Sequence, residues 1–598
     1  MTKEGVIIAD IDLNFDDKGK LTKGYNIKGS VKDGKIRLFN KKNINNISFD
    51  FNIKNKQYLL ENGQIEYEKL KLSSKKIKVN DKNQYFLFEG DVSSSKSLVN
   101  SNLLTVIFKN NLENIGINNV NFGSENNFSF RLEKKFKISN FKINSKIDLQ
   151  KLTYKKRSNS LKKYISSYND SVELIDHKIE LLISKNKLLI KGNGNFLINE
   201  KIDKINYEVK SNDDKYNFKS QIELNNIPLQ IKLLNYTKKE SKNALLNIEG
   251  SYKKDQNIYF KNILLKEFKN SFKVNGLSLS QNYKVNSIEE IYLDFLNDNE
   301  KKNKVLLKRN KKNYELSGKI FDGTNLINQI LESDSEENVF DFLNDFNSVV
   351  KISLNKIFID DINYLNNLNG NLKFNKSSLK NLDLKANFSD NKNLTFTVKT
   401  DQNNQKITTL FSEYAKPLVK KYKFIKGFEE GYLDFYSVKK NNISSSNLKI
   451  NDFKLKELPA LTKILTLASL QGIADLLTGE GIRFNEFEMK FRNEKKLMTI
   501  DEIYAIGPAI SIMMDGYVQK DELISLRGTL VPATTLNKII GSLPLLGDIL
   551  VGKKTGEGVF GVSFKIKGPP KKTKTTVNPI KTLTPRFITR TLEKIKKN

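Results

Sequence analysis

From residue 5 to about residue 400 the chain repeats one short pattern: apolar residues two apart, with polar ones between, broken by Asn, Asp, Lys and Gly. Phe141, Ile143, Ile147, Leu149, Leu152 and Tyr154 follow it; so do Leu372 and Phe374, then Leu382, Leu384, Ala386 and Phe388, then Leu394, Phe396 and Val398. A period of two predicts antiparallel strands with one apolar and one wet face. Asp33-Gly34, Asn62-Gly63, Asn275-Gly276 and Asn369-Gly370 read as hairpin turns between such strands.

Helical patterns are few. A short basic helix is expected within Lys155–Asp170, and one or two within Thr324–Phe346, broken at the acidic run Glu332–Glu337. Amphipathic helices are expected over Ile407–Phe424 and Pro459–Leu477, with Pro459 at an early helical position. A last one spans Leu536–Leu550, interrupted at Gly541 and Pro544. With a dozen residues per strand and turn there are about 35 strands, and at ~4.8 Å each one sheet would extend ~150 Å. An open sheet of that length must curl, which encloses its apolar face.

The expected fold is therefore mainly β. It is a long, curled antiparallel sheet forming an elongated hydrophobic groove, with a few amphipathic helices in the C-terminal third. The chain divides into β-meanders over 1–154 and 155–320 and a C-terminal module over 321–598. Several separate sandwiches or barrels are the alternative; the scarcity of Pro- or Gly-rich linkers favours continuity.

Composition narrows the chemistry. Hydrophobic residues make up 38% of 598, while aromatics reach 10%, which suits many one-sided strands better than thick cores. There is no Cys, so disulfides and thiolate metal sites are excluded, and the single histidine, His177, leaves no His-based metal site or triad. The net charge of +33 attracts polyanions or anionic headgroups. Lys is spread over the whole length, however, and Arg is scarce, which fits a distributed solvated face and argues against specific nucleic-acid recognition. The first residues hold no apolar stretch long enough for a signal or anchor, and the run 461–477 carries Lys463 and Asp475.

Two glycine motifs resemble phosphate loops. Gly556-Glu-Gly558-Val-Phe-Gly561 fits the dinucleotide spacing, but Phe560, Val562, Phe564 and Ile566 alternate after it as a strand where a helix is required. In Gly547-Asp-Ile-Leu-Val-Gly552-Lys553 the next residue is Lys554, not the Ser or Thr that would hold magnesium. Both read as glycine-rich turns. No carboxylate pair stands out as a general acid and base, so the chain reads as a non-enzyme without cofactor or metal.

The C-terminal quarter carries an ordered series of short motifs: Leu448-Lys-Ile450, Leu467-Ala-Ser-Leu-Gln-Gly472, Gly479-Glu-Gly-Ile-Arg-Phe484 and Asp515-Gly516. Arg527-Gly-Thr-Leu-Val-Pro532, Leu543-Pro-Leu-Leu-Gly547, Gly556 to Val562, Val577-Asn-Pro579 and Leu583-Thr-Pro585 continue it. From about Leu448 to Arg586 it resembles the C-terminal region of the large AsmA-like envelope proteins of YhdP/TamB type, closest to the YhdP group. Phe321-Asp-Gly-Thr-Asn-Leu326 and the upstream meanders agree more weakly. The resemblance implies a periplasmic, curled β-sheet whose groove carries phospholipid acyl chains towards the outer membrane. It also implies tethering to the inner membrane; the opening residues read as a strand repeat, so that tether is expected from a segment outside this sequence. The family brings no catalytic residues.

The groove positions expected from the alternation are Leu372, Phe374, Leu382, Leu384, Leu394, Phe396, Val398, Leu448, Ile450, Phe560, Val562, Phe564 and Ile566. The two amphipathic helices either close the groove's end or lie on a membrane surface, or else plug the core of the last module. A structural or adhesive β-array, or a scaffold for outer-membrane assembly, is the rival reading and predicts an ordinary filled core. Polyanion binding is a third, and predicts lysines clustered on one surface.

Overall fold

The computed structural model describes residues 2–100, 116–327, 340–420, 426–467, 481–532 and 561–578, short of 21, 23, 39–41, 68, 69, 135, 156, 158, 341, 458 and 571. Thirty-two strands join in one sheet, and a separate two-stranded ribbon pairs Leu229–Ile231 with Tyr236–Lys238. Among the described residues the strand pairings are antiparallel, except that Asn313–Asp322 lies parallel to Val349–Phe358, with the connection 323–348 between them. The chain is thus mainly β in a single long sheet, not a string of sandwiches. It forms two compact units, Met1–Asn303 and Lys304–Asn598.

The four Asx-Gly pairs expected as turns lie inside strands: Asn26–Leu38, Gln57–Tyr67, Asn270–Leu279 and Tyr364–Asn375. The register slips at Val31/Gly34, and again at Asn366/Asn369. Asp33 has φ 51°, Asn62 52° and Gly276 60°. Left-handed Asx and Gly residues serve a bulge as well as a turn, since both need a positive φ. The real hairpins use pairs such as Asn55-Lys56 and Asn441-Asn442, with φ of 48° and 64°, and 48° and 68°. Two consecutive positive φ values match the right-handed twist of the flanking strands.

The helix expected over Ile407–Phe424 is mostly a strand. Lys406–Ser412 pairs with Asn393–Thr400 and with Lys426–Lys440, and only Lys416–Lys420 is helical. Ile407, Thr408 and Thr409 are β-branched, and Thr408 and Leu410 face Val398 and Phe396, so packing on the pleat outweighs the weak helical period. The basic helix forms over Asn159–Tyr164, and the next expected one over Pro459–Leu467. Residues 468–480, and the helix expected over 536–550, lie outside the described residues.

In the first unit a core of Phe196, Ile198, Ala244, Leu265, Phe272 and Phe295 is capped by Ile227 and Tyr236, brought in by the ribbon. Asp203, 4% exposed, holds that insertion: its carboxylate accepts the backbone N–H groups of Asn225, Asn226 and Ile227 at 3.0–3.1 Å. The fully buried Lys238 donates to the carbonyls of Asn225 and Ile227 at 2.8 and 3.0 Å. Burial pushes the Lys238 ammonium below the usual lysine range, against the opposing pull of Asp203. Asp203→Ala leaves three donors without their acceptor, so a loss of about 2–3 kcal/mol is expected. Faster hydrogen exchange across 224–238 and a lower melting temperature would register it; unchanged exchange there would contradict the role.

In the second unit the core gathers where helix Pro459–Leu467 lies on the sheet. Leu461, Ile464 and Leu465 are 0–2% exposed and pack with Phe428, Phe453, Ile482, Phe484, Ile510 and Leu530. This helix fills a core, the second of the two roles its sequence allowed.

Candidate functional site

Directly opposed residues of neighbouring strands share a face, so the register defines rows across the sheet. One row crosses the second unit almost without interruption. It runs Leu384–Phe396–Leu410–Phe435–Leu448–Met489–Ile503–Met514, then Gly528–Phe564–Val577. Leu384, Phe396, Leu410, Phe435, Leu448, Met489 and Met514 are half-buried, and of these Leu410, Phe435, Leu448 and Met514 pack against the edge of the core. A parallel row, Ala386–Leu394–Ser412–Leu433–Ile450–Phe487–Ala505–Ile512–Leu530–Val562, lies nearer the helix. All of its members but Phe487 are buried.

The expected groove residues sort accordingly. Leu384 and Phe396 are half-buried on the apolar face, Leu448 and Ile566 are half-buried against the core, and Leu394, Ile450, Val562 and Phe564 are buried. Leu372 is half-buried and opposes Leu382, which is buried and opposes the buried Val398. Phe374 is covered, its ring 4.9 Å from Phe340 and 5.3 Å from Phe346. Phe560 lies outside the described residues. Leu410, Phe435, Met489 and Met514 were not expected. Leu410 was hidden by the helical reading of its segment, whereas Leu433 and Phe435 alternate plainly.

The opposite face is charged and paired. In the second unit Asp434 opposes Lys449, Lys449 opposes Glu488, and Arg527 donates to Asp515 at 2.9 Å. In the first unit the ladder Lys146–Glu180–Lys191–Glu208–Lys219–Glu249 alternates in sign strand by strand. It lines an open depression of about 1350 Å³ holding five lysines and five carboxylates. Hydrogen bonds from Lys178, Lys210 and Lys261 hold Asp148, Glu208 and Glu249 respectively below the ordinary carboxylate range. Charges that cancel in this way offer no anion-binding field, so the polyanion reading gains nothing here.

The first unit's apolar face is less uniform. Its row Ile65–Leu72–Ser94–Ser124–Ile147–Ile179–Gly192–Tyr207–Ser220–Ile248 carries three serines. His177, fully buried beside the left-handed Asp176 (φ 53°), sits in a bulge on this face opposite Leu149. Its Nε2 lies 2.9 Å from the Asn195 carbonyl, which can only accept, so Nε2 carries the hydrogen. Nδ1, 3.3 Å from Tyr207 Oη, then accepts the phenol proton in the neutral ring. Burial lowers the His177 pKa below the ordinary 6.5, against the weaker raising effect of the Asn195 hydrogen bond. A depressed folded-state value means that the unfolded chain binds the proton more readily. Stability is therefore complete above about pH 6.5 and declines as pH falls towards the folded value. His177→Gln should flatten that limb of a plot of unfolding midpoint against pH; an unchanged slope would show that His177 is not its source.

Among the described residues no group of acidic and histidine side chains is arranged to hold a metal ion. None of the described helices is long and apolar enough to cross a membrane. No known family matches the chain, and no curated protein matches it either.

Proposed function

We propose that this chain is a non-enzymatic lipid carrier of the cell envelope, of the AsmA-like kind that its C-terminal motifs resemble. In this reading the sheet curls around its apolar face and shields phospholipid acyl chains across the periplasm. The observation that carries it is the half-buried row from Leu384 to Met514. Each buried methylene contributes ~0.8 kcal/mol, so two long chains need upwards of ~20 kcal/mol of shelter in transit. A row of similar apolar side chains repeated on strand after strand supplies that shelter without a deep trap at any one step. The charged face opposite keeps the sheet soluble.

The filled core beneath helix Pro459–Leu467 is equally what a structural β-array or assembly scaffold would have. The test is to place photo-crosslinkers at Phe396 and Phe435, with Thr397 and Asp434 of the other face as controls, and analyse the adducts by lipid mass spectrometry. Lipid adducts confined to the first pair support carriage. Adducts only to protein, or equal labelling at all four sites, would leave the scaffold reading in possession.

A further inference from the structure

The apolar face of the second unit changes character at the edge away from the helix. Four residues along the strand from Leu410 stands Lys406, and from Phe435 Lys439, on the same face by alternation. Lys406 and Lys439 oppose each other directly, and Lys406 faces Thr400 on its other side. The Thr400 hydroxyl donates to the Lys380 carbonyl at 2.8 Å. Lys380 sits where the strands slip, between the pairs Lys373/Asn381 and Phe374/Leu379. None of the three lysines forms an ion pair with a described carboxylate. Two like charges directly opposed destabilise a sheet; such oppositions recur, as at Lys215/Lys253 and Lys567/Lys574, but here the pair stands on the otherwise apolar face, where an anion from outside would relieve it. Lys406 is half-buried; burial first, then the ammonium groups of Lys439 and Lys380, holds its pKa below the lysine range.

Between the lysines and the apolar row lies a mixed one: Leu382, Val398, Thr408 and Ser437. Rows of one face are ~7 Å apart. Leu382, Val398 and Ser437 of this row are buried, so its half-buried Thr408 hydroxyl is the group left between ammonium and alkyl, in the order of phosphate, glycerol ester and acyl chain. We propose that Lys380, Lys406 and Lys439 hold the phosphate of an anionic glycerophospholipid whose chains lie on Leu384, Phe396 and Leu410. This rests on the lipid-carrier reading and names the lipid class for it. A zwitterionic headgroup is the poorer fit, because its ammonium meets three lysines and no carboxylate.

The test uses the full chain and its Lys380→Gln/Lys406→Gln/Lys439→Gln variant, each equilibrated with fluorescent phosphatidylglycerol, phosphatidylcholine and diacylglycerol. The native chain should retain phosphatidylglycerol about tenfold or more over phosphatidylcholine, since a charge-assisted contact is worth roughly a decade in affinity. The variant should lose that preference while retaining diacylglycerol unchanged, and the single variant Lys406→Arg should keep most of the preference that Lys406→Gln loses. Should the triple variant fold poorly by circular dichroism, Lys439→Gln alone, at a half-buried strand end, should still reduce the preference. A preference undiminished by these changes, or absent from the native chain while diacylglycerol binds, overturns the headgroup site and leaves the carrier standing. Retention of none of the three lipids overturns both. Inorganic phosphate displacing the headgroup preference at concentrations equal to the lipid's would assign the lysines to free phosphate and also overturn the proposal.

Discussion

Phe484→Ala should cost about 3–5 kcal/mol, the range for emptying a large aromatic site in a packed core. Phe484 is 1% exposed and stacks on Phe453 at 5.3 Å, which stacks in turn on Phe428 at 5.2 Å. Phe453 and Phe484 are register partners on adjacent strands, so the column crosses the sheet beneath Leu461, Ile464 and Leu465 of the helix. The backbone of these strands is pinned on both sides, which limits how far the surroundings can collapse into the void. Urea unfolding followed by circular dichroism should show a lower midpoint with little change in slope. A loss below about 1 kcal/mol would mean that this cluster does not act as a core.

Leu410→Asp is expected to reduce retained phospholipid by roughly fiftyfold. A carboxylate in the middle of the apolar row strips cover from about three methylenes, at ~0.8 kcal/mol each. Leu410 is half-buried and flanked by Phe396 and Phe435, so the charge interrupts the row where its rings meet. The matched control is Thr409→Asp, one residue away on the opposite face, where Thr409 and Thr397 hydroxyls lie 2.6 Å apart. Lipid extraction and mass spectrometry on equal amounts of folded protein would compare them. If both variants retain lipid as the native chain does, the row is not a lipid path and the array is better understood as a scaffold.

Much of this architecture is legible along the chain. Period two in Leu382–Phe388 and Leu394–Val398 announces strands with an apolar face, and those residues do lie where the alternation puts them. The Asx-Gly pairs misled because a bulge and a turn ask for the same left-handed backbone, and only the partner strand tells them apart. Asn62-Gly63 shows this: residues 61–64 of one strand span only Asp50 to Ser48 of the next. The helical reading of Ile407–Phe424 failed for a related reason. Leu410 and Phe411 fit either period, and pairing on both sides settled the matter for the strand.

What the sequence determined by itself is the face each side chain occupies within its own strand, because alternation is a local property of the extended backbone. Which side chains meet across strands was decided by the tertiary structure alone. Register depends on the length of every hairpin and on the slip at every bulge, and a one-residue change turns a face over. The row Leu384–Phe396–Leu410–Phe435–Leu448 is assembled from strands scattered over sixty-odd residues. The opposition of Lys406 to Lys439 has the same origin: two ordinary lysines in the sequence, brought face to face by the register on an otherwise apolar surface.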